Sequence, residues 1–147
     1  MKRGFTIVEL LIYMVIVGTL LTVLGGILIS TLDVQMESES VSTIEADGRF
    51  LLARLGYDVH RASSLTTTPN LVLAINGQTY TYAVVNSVLQ LTTSSGTSHL
   101  TSPGVQVTNF SVTRLGNPTG VPTAQIKFTL TNGHETRNYQ TTMGLRH

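Results

Sequence analysis

An uncharged run near the N-terminus constrains the fold of this chain more than any other segment. The run extends from Leu10 to Leu32, which is 23 residues, and as a helix it would reach roughly 35 Å, enough to cross the hydrocarbon layer of a bilayer. Lys2 and Arg3 precede the run, and acidic residues follow it from Asp33 onward. This charge bias predicts a single-pass protein with a cytoplasmic N-terminus and an extracytoplasmic remainder.

A cleaved secretory signal peptide is the first alternative interpretation of this run. Signal peptides have an apolar region of about 7 to 15 residues that ends at a small-x-small cleavage site. The run here is longer, and no Ala-x-Ala lies near Ser30 or Thr31. A plain signal anchor also stays open, but it leaves the acidic Glu9 at the start of the apolar stretch unexplained.

Glu9 is the one acidic residue at the entrance to this apolar stretch. An ionised side chain costs about 2.5–3.5 kcal/mol at the centre of a bilayer and less near the interface, so such a residue usually has a function. Lys2 or Arg3 of the same chain could neutralise it by snorkelling. A cation from a neighbouring helix would instead couple neutralisation to assembly, and we favour that interpretation.

The sequence GFTIVEL at residues 4–10 resembles the class III signal of type IV pilins and pseudopilins. The resemblance implies that a membrane prepilin peptidase cleaves between Gly4 and Phe5 and methylates the new amine of Phe5. It also implies that Glu9 pairs with the N-terminal amine of an adjacent subunit. The implied partners are the prepilin peptidase, other pilin or pseudopilin subunits through the N-terminal helix, membrane lipid and the inner-membrane assembly platform.

The helix is predicted to continue out of the membrane as far as Ala62, because no proline occurs before Pro69. Its second half carries an apolar stripe suited to a head domain. The members of this stripe are Val41, Ile44, Gly48, Leu51, Leu55 and Val59. The charged residues of this half are predicted to lie mainly on a solvated face.

Small residues recur every fourth position in the first half of the helix, at Gly18, Thr22 and Gly26. Such a row lets helices approach closely, although glycine is common in membrane helices generally. Many pilins have a helix-breaking proline near the position of Gly26. Here the pair Gly25-Gly26 is the candidate for local unwinding.

A β-rich head is predicted from Ser63 onward, where 26 of 85 residues are Ser or Thr and short alternating apolar runs replace the helical period. Two-residue loops at Asn76-Gly77 and Asn86-Ser87 predict a three-stranded meander. Its predicted cross-strand pairs are Leu71 with Tyr82, Leu73 with Tyr80 and Val84 with Leu89, all on one apolar face. The stretch around Gly96 is predicted to be a solvated turn.

A second group of strands is predicted over Val105–Leu115, Ala124–Thr131 and onward to about Met143. The inward parity changes between Val107 and Phe110, which predicts a β-bulge at Thr108 or Asn109. The loop between the first two of these strands is predicted to be the most mobile surface. The fold class is therefore α+β, with a leader at 1–4, a membrane and assembly helix at 5–32, an extracytoplasmic helix at 33–62 and an antiparallel head at 63–147.

This order of elements resembles the J-type minor pseudopilins of type II secretion and the related minor pilins of pilus and competence systems. The resemblance implies a structural subunit that primes or caps a filament. The presence of Glu9 argues against a K-type tip pseudopilin, which usually lacks that acid. A single-pass anchored β-rich adhesin or binding module is the alternative function.

Composition does not favour an enzyme or a cofactor-binding protein. The histidines show no metal-ligand spacing, no catalytic motif occurs, and His60 is predicted to lie at the surface. Neither a cofactor nor a metal site is expected. Removing Lys2 and Arg3 would leave seven basic against eight acidic residues, which does not indicate nucleic-acid binding. A modest DNA contact stays open through Arg114, Lys127, Arg137 and Arg146.

Overall fold

A computed structural model describes residues 6–116 and 122–145. It confirms the predicted α+β class, because one long apolar helix, α1 (Ile7–Arg61), is followed by antiparallel strands. The strands are β1 (Ser64–Thr66), β2 (Leu71–Ile75), β3 (Gln78–Val85), β4 (Val88–Thr93), β5 (Gly96–His99), β6 (Gln106–Leu115), β7 (Thr123–Thr131) and β8 (Thr136–Gly144). The contacts divide the chain into two compact units, one ending at Glu39 and one beginning at Ser40.

The first unit is helical from Ile7 to Glu39. The helix is continuous through Gly25 and Gly26, so the local unwinding considered for this pair does not occur here. All of the large apolar side chains that the structure describes in this unit are exposed, from 48% at Ile16 to 81% at Ile7. A surface of this kind needs lipid or other helices to cover it.

The second unit contains two antiparallel sheets, one in the order β1-β2-β3-β4-β5 and one in the order β6-β7-β8. The first sheet forms its hairpins as predicted. Asn76 and Gly77 have φ of 51° and 75°, as the mirror-image turn between twisted strands requires. The structure confirms the predicted pairing of Leu71 with Tyr82, Leu73 with Tyr80 and Val84 with Leu89.

The first sheet differs from the expectations in three respects. The sheet has five strands instead of three, because β1 and β5 add to its two edges. The predicted solvated turn is present at Ser94 and Ser95, but the stretch continues into β5, whose residues are all exposed and whose backbone pairs with β4. Val84 is 36% exposed instead of buried, although its cross-strand partner Leu89 is fully buried.

The second sheet confirms the predicted bulge. The register of β6 against β7 shifts between Thr108 and Ser111, and Asn109 takes a positive φ of 53°. The extra residue lets both Val107 and Phe110 pack toward the core. Most of the loop predicted to be mobile, at 117–121, lies outside the described residues.

The core of the second unit lies between α1 and both sheets. The predicted stripe is confirmed at Ile44, Gly48, Leu51, Leu55 and Val59, all of which are buried. The sheet residues packed into the same core include Leu71, Leu73, Ile75, Tyr82, Leu89, Ala124, Ile126, Phe128 and Leu130.

Two helical acids belong to this buried face, contrary to the predicted solvated face. Asp47 is 8% exposed and accepts two hydrogen bonds from Ser102, through the backbone N–H at 2.8 Å and the hydroxyl at 2.7 Å. Asp58 is 1% exposed and accepts a hydrogen bond from the Tyr82 hydroxyl. Both acids can be buried because a distant residue donates to each carboxylate, to both oxygens of Asp47 and to Oδ2 of Asp58.

Arg54 completes the Asp58 cluster on the solvent side. Its Nε lies 3.0 Å from Oδ2 of Asp58, but the N–H does not point along that line, so the contact is an ion pair without a hydrogen bond. Burial, followed by the hydrogen bond to Asp58, raises the pKa of Tyr82 well above its usual value. The neighbouring Tyr82 and then the Asp58 carboxylate raise the pKa of Arg54.

Candidate assembly site

The helix start places Glu9 in its first turn and Thr6 immediately before the first helical residue. The Thr6 hydroxyl oxygen accepts a hydrogen bond from the Glu9 N–H at 3.3 Å, and the Thr6 carbonyl accepts one from the Leu10 N–H at 3.2 Å. Thr6 is therefore the N-cap, and the Thr-x-x-Glu spacing is that of a capping box. This role of Thr6 was not predicted from the sequence, although the Thr-x-x-Glu spacing alone indicates it.

The Glu9 side chain is exposed and sits where the helix dipole favours negative charge. Among the described residues, three ion pairs occur, and none of them involves Glu9. Gly4 and Phe5, the predicted cleavage and methylation residues, lie outside the described residues.

The predicted small-residue row is exposed on the surface of α1. A Cβ atom added at Gly18 or Gly26 would meet nothing within 4 Å. The Thr22 hydroxyl donates to the Gly18 carbonyl at 2.9 Å, so its hydrogen-bonding capacity is used within its own helix. The row therefore presents small surfaces without an unsatisfied donor, which suits close contact with another helix.

Large apolar side chains surround Gly18 and turn its position into a shallow groove. The residues that line this groove together with Gly18 are Leu10, Tyr13, Met14, Val17 and Leu21. The small-residue row and the Glu9 carboxylate lie on the same helix but at separate places along it, so they do not form one pocket.

The arrangement of apolar side chains, small residues and one carboxylate suits packing and charge pairing. Within residues 6–116 and 122–145, no group of three or more His, Cys, Asp or Glu residues could hold a metal ion. Asp58 is buried whereas His60 is exposed, as its predicted surface position requires. The Nδ1 atom of His60 lies 2.8 Å from the Gly144 carbonyl and makes a local tie to β8.

Helix α1 is long and apolar enough to cross a membrane. Within the described part of the chain it is the one helix that meets this test of length and composition, and its most apolar window is not buried. This property alone does not distinguish an assembly helix from a simple anchor, so the distinction depends on the residues at its start.

Comparison with known proteins finds a family match for the residues at the start of α1. Residues 1–25 match a family model described as the prokaryotic N-terminal methylation motif. The match confirms the class III signal and supports the resemblance to type IV pilin-like proteins. Comparisons with curated proteins and with solved structures returned no match.

The matched region includes Gly4, Phe5, Glu9, Gly18 and Thr22. The motif points to a structural subunit of the pilin or pseudopilin type rather than to an enzyme. It implies processing by a prepilin peptidase and assembly with other pilins, and together with α1 it suggests a membrane-anchored protein. The first 25 of the 147 residues thus connect this chain to proteins that are methylated at their N-terminus.

Proposed function

We propose that this chain is a minor pilin or pseudopilin that primes or caps a type IV pilus or a type II secretion pseudopilus. In this proposal, cleavage between Gly4 and Phe5 and methylation of Phe5 precede assembly. The observation that carries the proposal is the methylation motif at the head of a helix whose apolar side chains are uncovered. The proposed divisions are 1–4, 5–32, 33–62 and 63–147.

The uncovered part of α1 supports a subunit that exchanges lipid for neighbouring helices. Its side chains are apolar on all faces, and its threonine hydroxyls bond to their own helix, for example Thr19 to the Ile16 carbonyl at 2.8 Å. Such a surface is compatible with lipid before assembly and with packed helices after it. The row at Gly18, Thr22 and Gly26 would allow the closest approach.

Glu9 supplies the proposed charge pairing between subunits. Cleavage would create an amine at Phe5, two residues before the first helical residue, Ile7. The exposed Glu9 carboxylate of one subunit would then meet the Phe5 amine of the next. In this pair each charge neutralises the other within an apolar environment, so the pairing favours assembly over the isolated subunit.

The first test is the intact mass and N-terminal sequence of the chain co-expressed with its own prepilin peptidase. We expect a chain that begins at methylated Phe5, and we expect Gly4→Leu to prevent cleavage. An uncleaved wild-type chain that begins at Met1 would contradict the proposal. It would favour an anchored β-rich binding module.

The second test separates the charge of Glu9 from its position in the capping box. Glu9→Gln keeps a side chain that can complete the box but removes the charge, whereas Glu9→Asp keeps the charge. We expect these variants and Glu9→Leu to insert in the membrane, and we expect Glu9→Gln and Glu9→Leu to be lost from filaments. Normal incorporation of Glu9→Gln would contradict charge pairing and leave capping as the role of Glu9.

A further inference from the structure

We propose that an exposed stripe on α1 binds the acidic helix segment around Asp33 and Glu37 of a second copy of this chain. The aromatic stripe consists of Phe50, Arg54, Tyr57 and Arg61, which follow the i, i+4, i+7, i+11 spacing of one helix face. This proposal rests on the filament-subunit function proposed above, because it concerns contact between copies.

The aromatic stripe is distinct from the face that α1 buries against the head. Phe50 is 51% exposed and Tyr57 is 57% exposed, whereas Leu51 and Leu55 are fully buried. A helix that packs on one side of a domain normally presents polar residues on its other side. Two half-exposed aromatic rings on that outer side are typical of a contact surface.

The charge of the aromatic stripe is small and localised. The Arg61 guanidinium lies 4.7 Å above the centre of the Tyr57 ring, and Arg61 makes no ion pair among the described residues. Arg54 is compensated by Asp58 at 3.0 Å. The surface therefore offers one uncompensated positive charge beside two rings, which suits a partner with few negative charges and some apolar area.

The segment around Asp33 has those properties. Asp33 and Glu37 lie one helical turn apart, both are exposed, and neither belongs to an ion pair among the described residues. Val34 and Met36 beside them are 63% and 56% exposed. The segment can therefore place a carboxylate near Arg61 of another copy and apolar atoms against the rings of Phe50 and Tyr57.

A nucleic acid fits the aromatic stripe less well. Nucleic-acid surfaces neutralise several phosphates with clustered Lys and Arg, and their affinity depends on that number. Arg49, the nearest further base, is paired with Glu45 at 3.2 Å. With Arg54 also paired, the local charge suits a short acidic helix segment better than a polyanion.

Disulfide cross-linking tests the contact cleanly because the sequence contains no cysteine. One tagged copy carries Glu37→Cys and a second, differently tagged copy carries Tyr57→Cys, so a link between the two tags can form only between chains. We expect this pair to cross-link in the filament fraction. The matched controls are Arg49→Cys in place of Tyr57→Cys and Glu39→Cys in place of Glu37→Cys. Residue 49 lies about 100° around the helix from Phe50, and residue 39 lies about 200° from Glu37. We expect the cross-link to be lost with either control.

Charge exchange tests whether Arg61 contributes to the same contact. We expect Arg61→Glu to reduce incorporation into filaments and the combined change Arg61→Glu with Glu37→Arg to restore it. Raised salt should weaken the wild-type contact, because exposed charges are screened. Failure of the double variant to recover, with both single variants processed normally, would overturn the assigned charge contact.

The outcomes separate this inference from the proposed function. Filaments that contain the processed chain but give no cross-link between positions 37 and 57 would overturn the inference and leave the proposed function intact. An unprocessed chain absent from filaments would overturn the proposed function. Binding of a single-stranded oligonucleotide that Tyr57→Ala abolishes, without any cross-link, would assign the aromatic stripe to nucleic acid and overturn the inference.

Discussion

The two parts of α1 have the same backbone conformation but different surroundings. Up to Glu39 the large apolar side chains described are 48–81% exposed, whereas from Ser40 onward a stripe that includes Ile44 and Leu51 is fully buried. The backbone conformation of a helix therefore does not determine whether its apolar side chains are covered by the same chain, by lipid or by other chains. The second part finds its covering residues in β-strands of the same chain, but the first part needs lipid or other chains.

Polar contacts differ between the two parts in the same way. In the first part, Thr22 and Thr31 donate to carbonyls of their own helix. In the second part, Asp47 and Asp58 bind residues that lie 55 and 24 positions further along the chain. Tertiary hydrogen bonds thus fix the second part in one register against the head. The threonine hydroxyls of the first part bond to carbonyls of their own helix, so these hydrogen bonds fix no register against another element.

Asp58→Ala should give the largest loss of stability if this comparison is right. Removing one member of a buried ion pair costs about 3–5 kcal/mol. We expect about 3 kcal/mol, at the lower end of that range, because the Arg54 side chain is 38% exposed and can turn to water. The measurement is urea unfolding of the full chain in detergent micelles, followed by near-ultraviolet circular dichroism. The control Asp33→Ala lies in the first part and should change the free energy of unfolding by less than about 0.5 kcal/mol.

Gly48→Ala should be the next most damaging change, and Gly26→Ala is its matched control. A Cβ at residue 48 would overlap the Tyr139 ring, whose hydroxyl donates to the Ile44 carbonyl at 3.1 Å. We expect a loss of about 1–3 kcal/mol from overpacking. A Cβ at Gly26 meets nothing within 4 Å, so we expect a gain of about 0.5–1 kcal/mol in helix stability. Equal effects in the same unfolding assay would contradict the contrast between the two parts.

The sequence was sufficient where the structure depends on local signals. The apolar stripe, the loops at Asn76 and Asn86, and the bulge near Asn109 follow from spacing, turn residues and parity. The resemblance at residues 4–10 identified Glu9, and the capping box of Thr6 was also visible there. The methylation motif supports this N-terminal assignment but covers none of the head.

The sequence was insufficient where the structure depends on distant partners. β1 and β5 are short and polar, and they form because neighbouring strands offer free edges. The residues from Ala62 to Thr113 include no Asp, Glu, Lys or Arg, so no charge pattern indicated where Asp47 and Asp58 would bind. Asp47 accepts from Ser102, and Asp58 accepts from Tyr82 beside its ion pair with Arg54. Sequence patterns do not pair the two acids with these neutral donors.

The pH dependence of stability should show the buried position of Tyr82. Burial and then Asp58 raise its pKa in the folded protein, whereas in the unfolded chain it titrates near 10. Above about pH 10 the unfolded state loses this proton first, so stability falls as pH rises toward the folded pKa. Unfolding at about pH 9 and about pH 11 should show this fall. Tyr82→Phe should reduce the slope, and the remaining part should include Tyr139, whose pKa burial also raises.

Ser102→Ala should have the smallest effect because it removes only one of two hydrogen bonds to Asp47. The backbone N–H of residue 102 remains within reach at 2.8 Å, whereas the hydroxyl donor at 2.7 Å is lost. A hydrogen bond to a charged group contributes about 1.5–3 kcal/mol, and we expect about 1 kcal/mol here because the retained N–H partly compensates the carboxylate. Thr31→Ala is the control in the first part, where the lost hydroxyl bonded only to the Ile27 carbonyl. A loss for Thr31→Ala as large as that for Ser102→Ala would show that the first part of α1 is also held by contacts within its own chain.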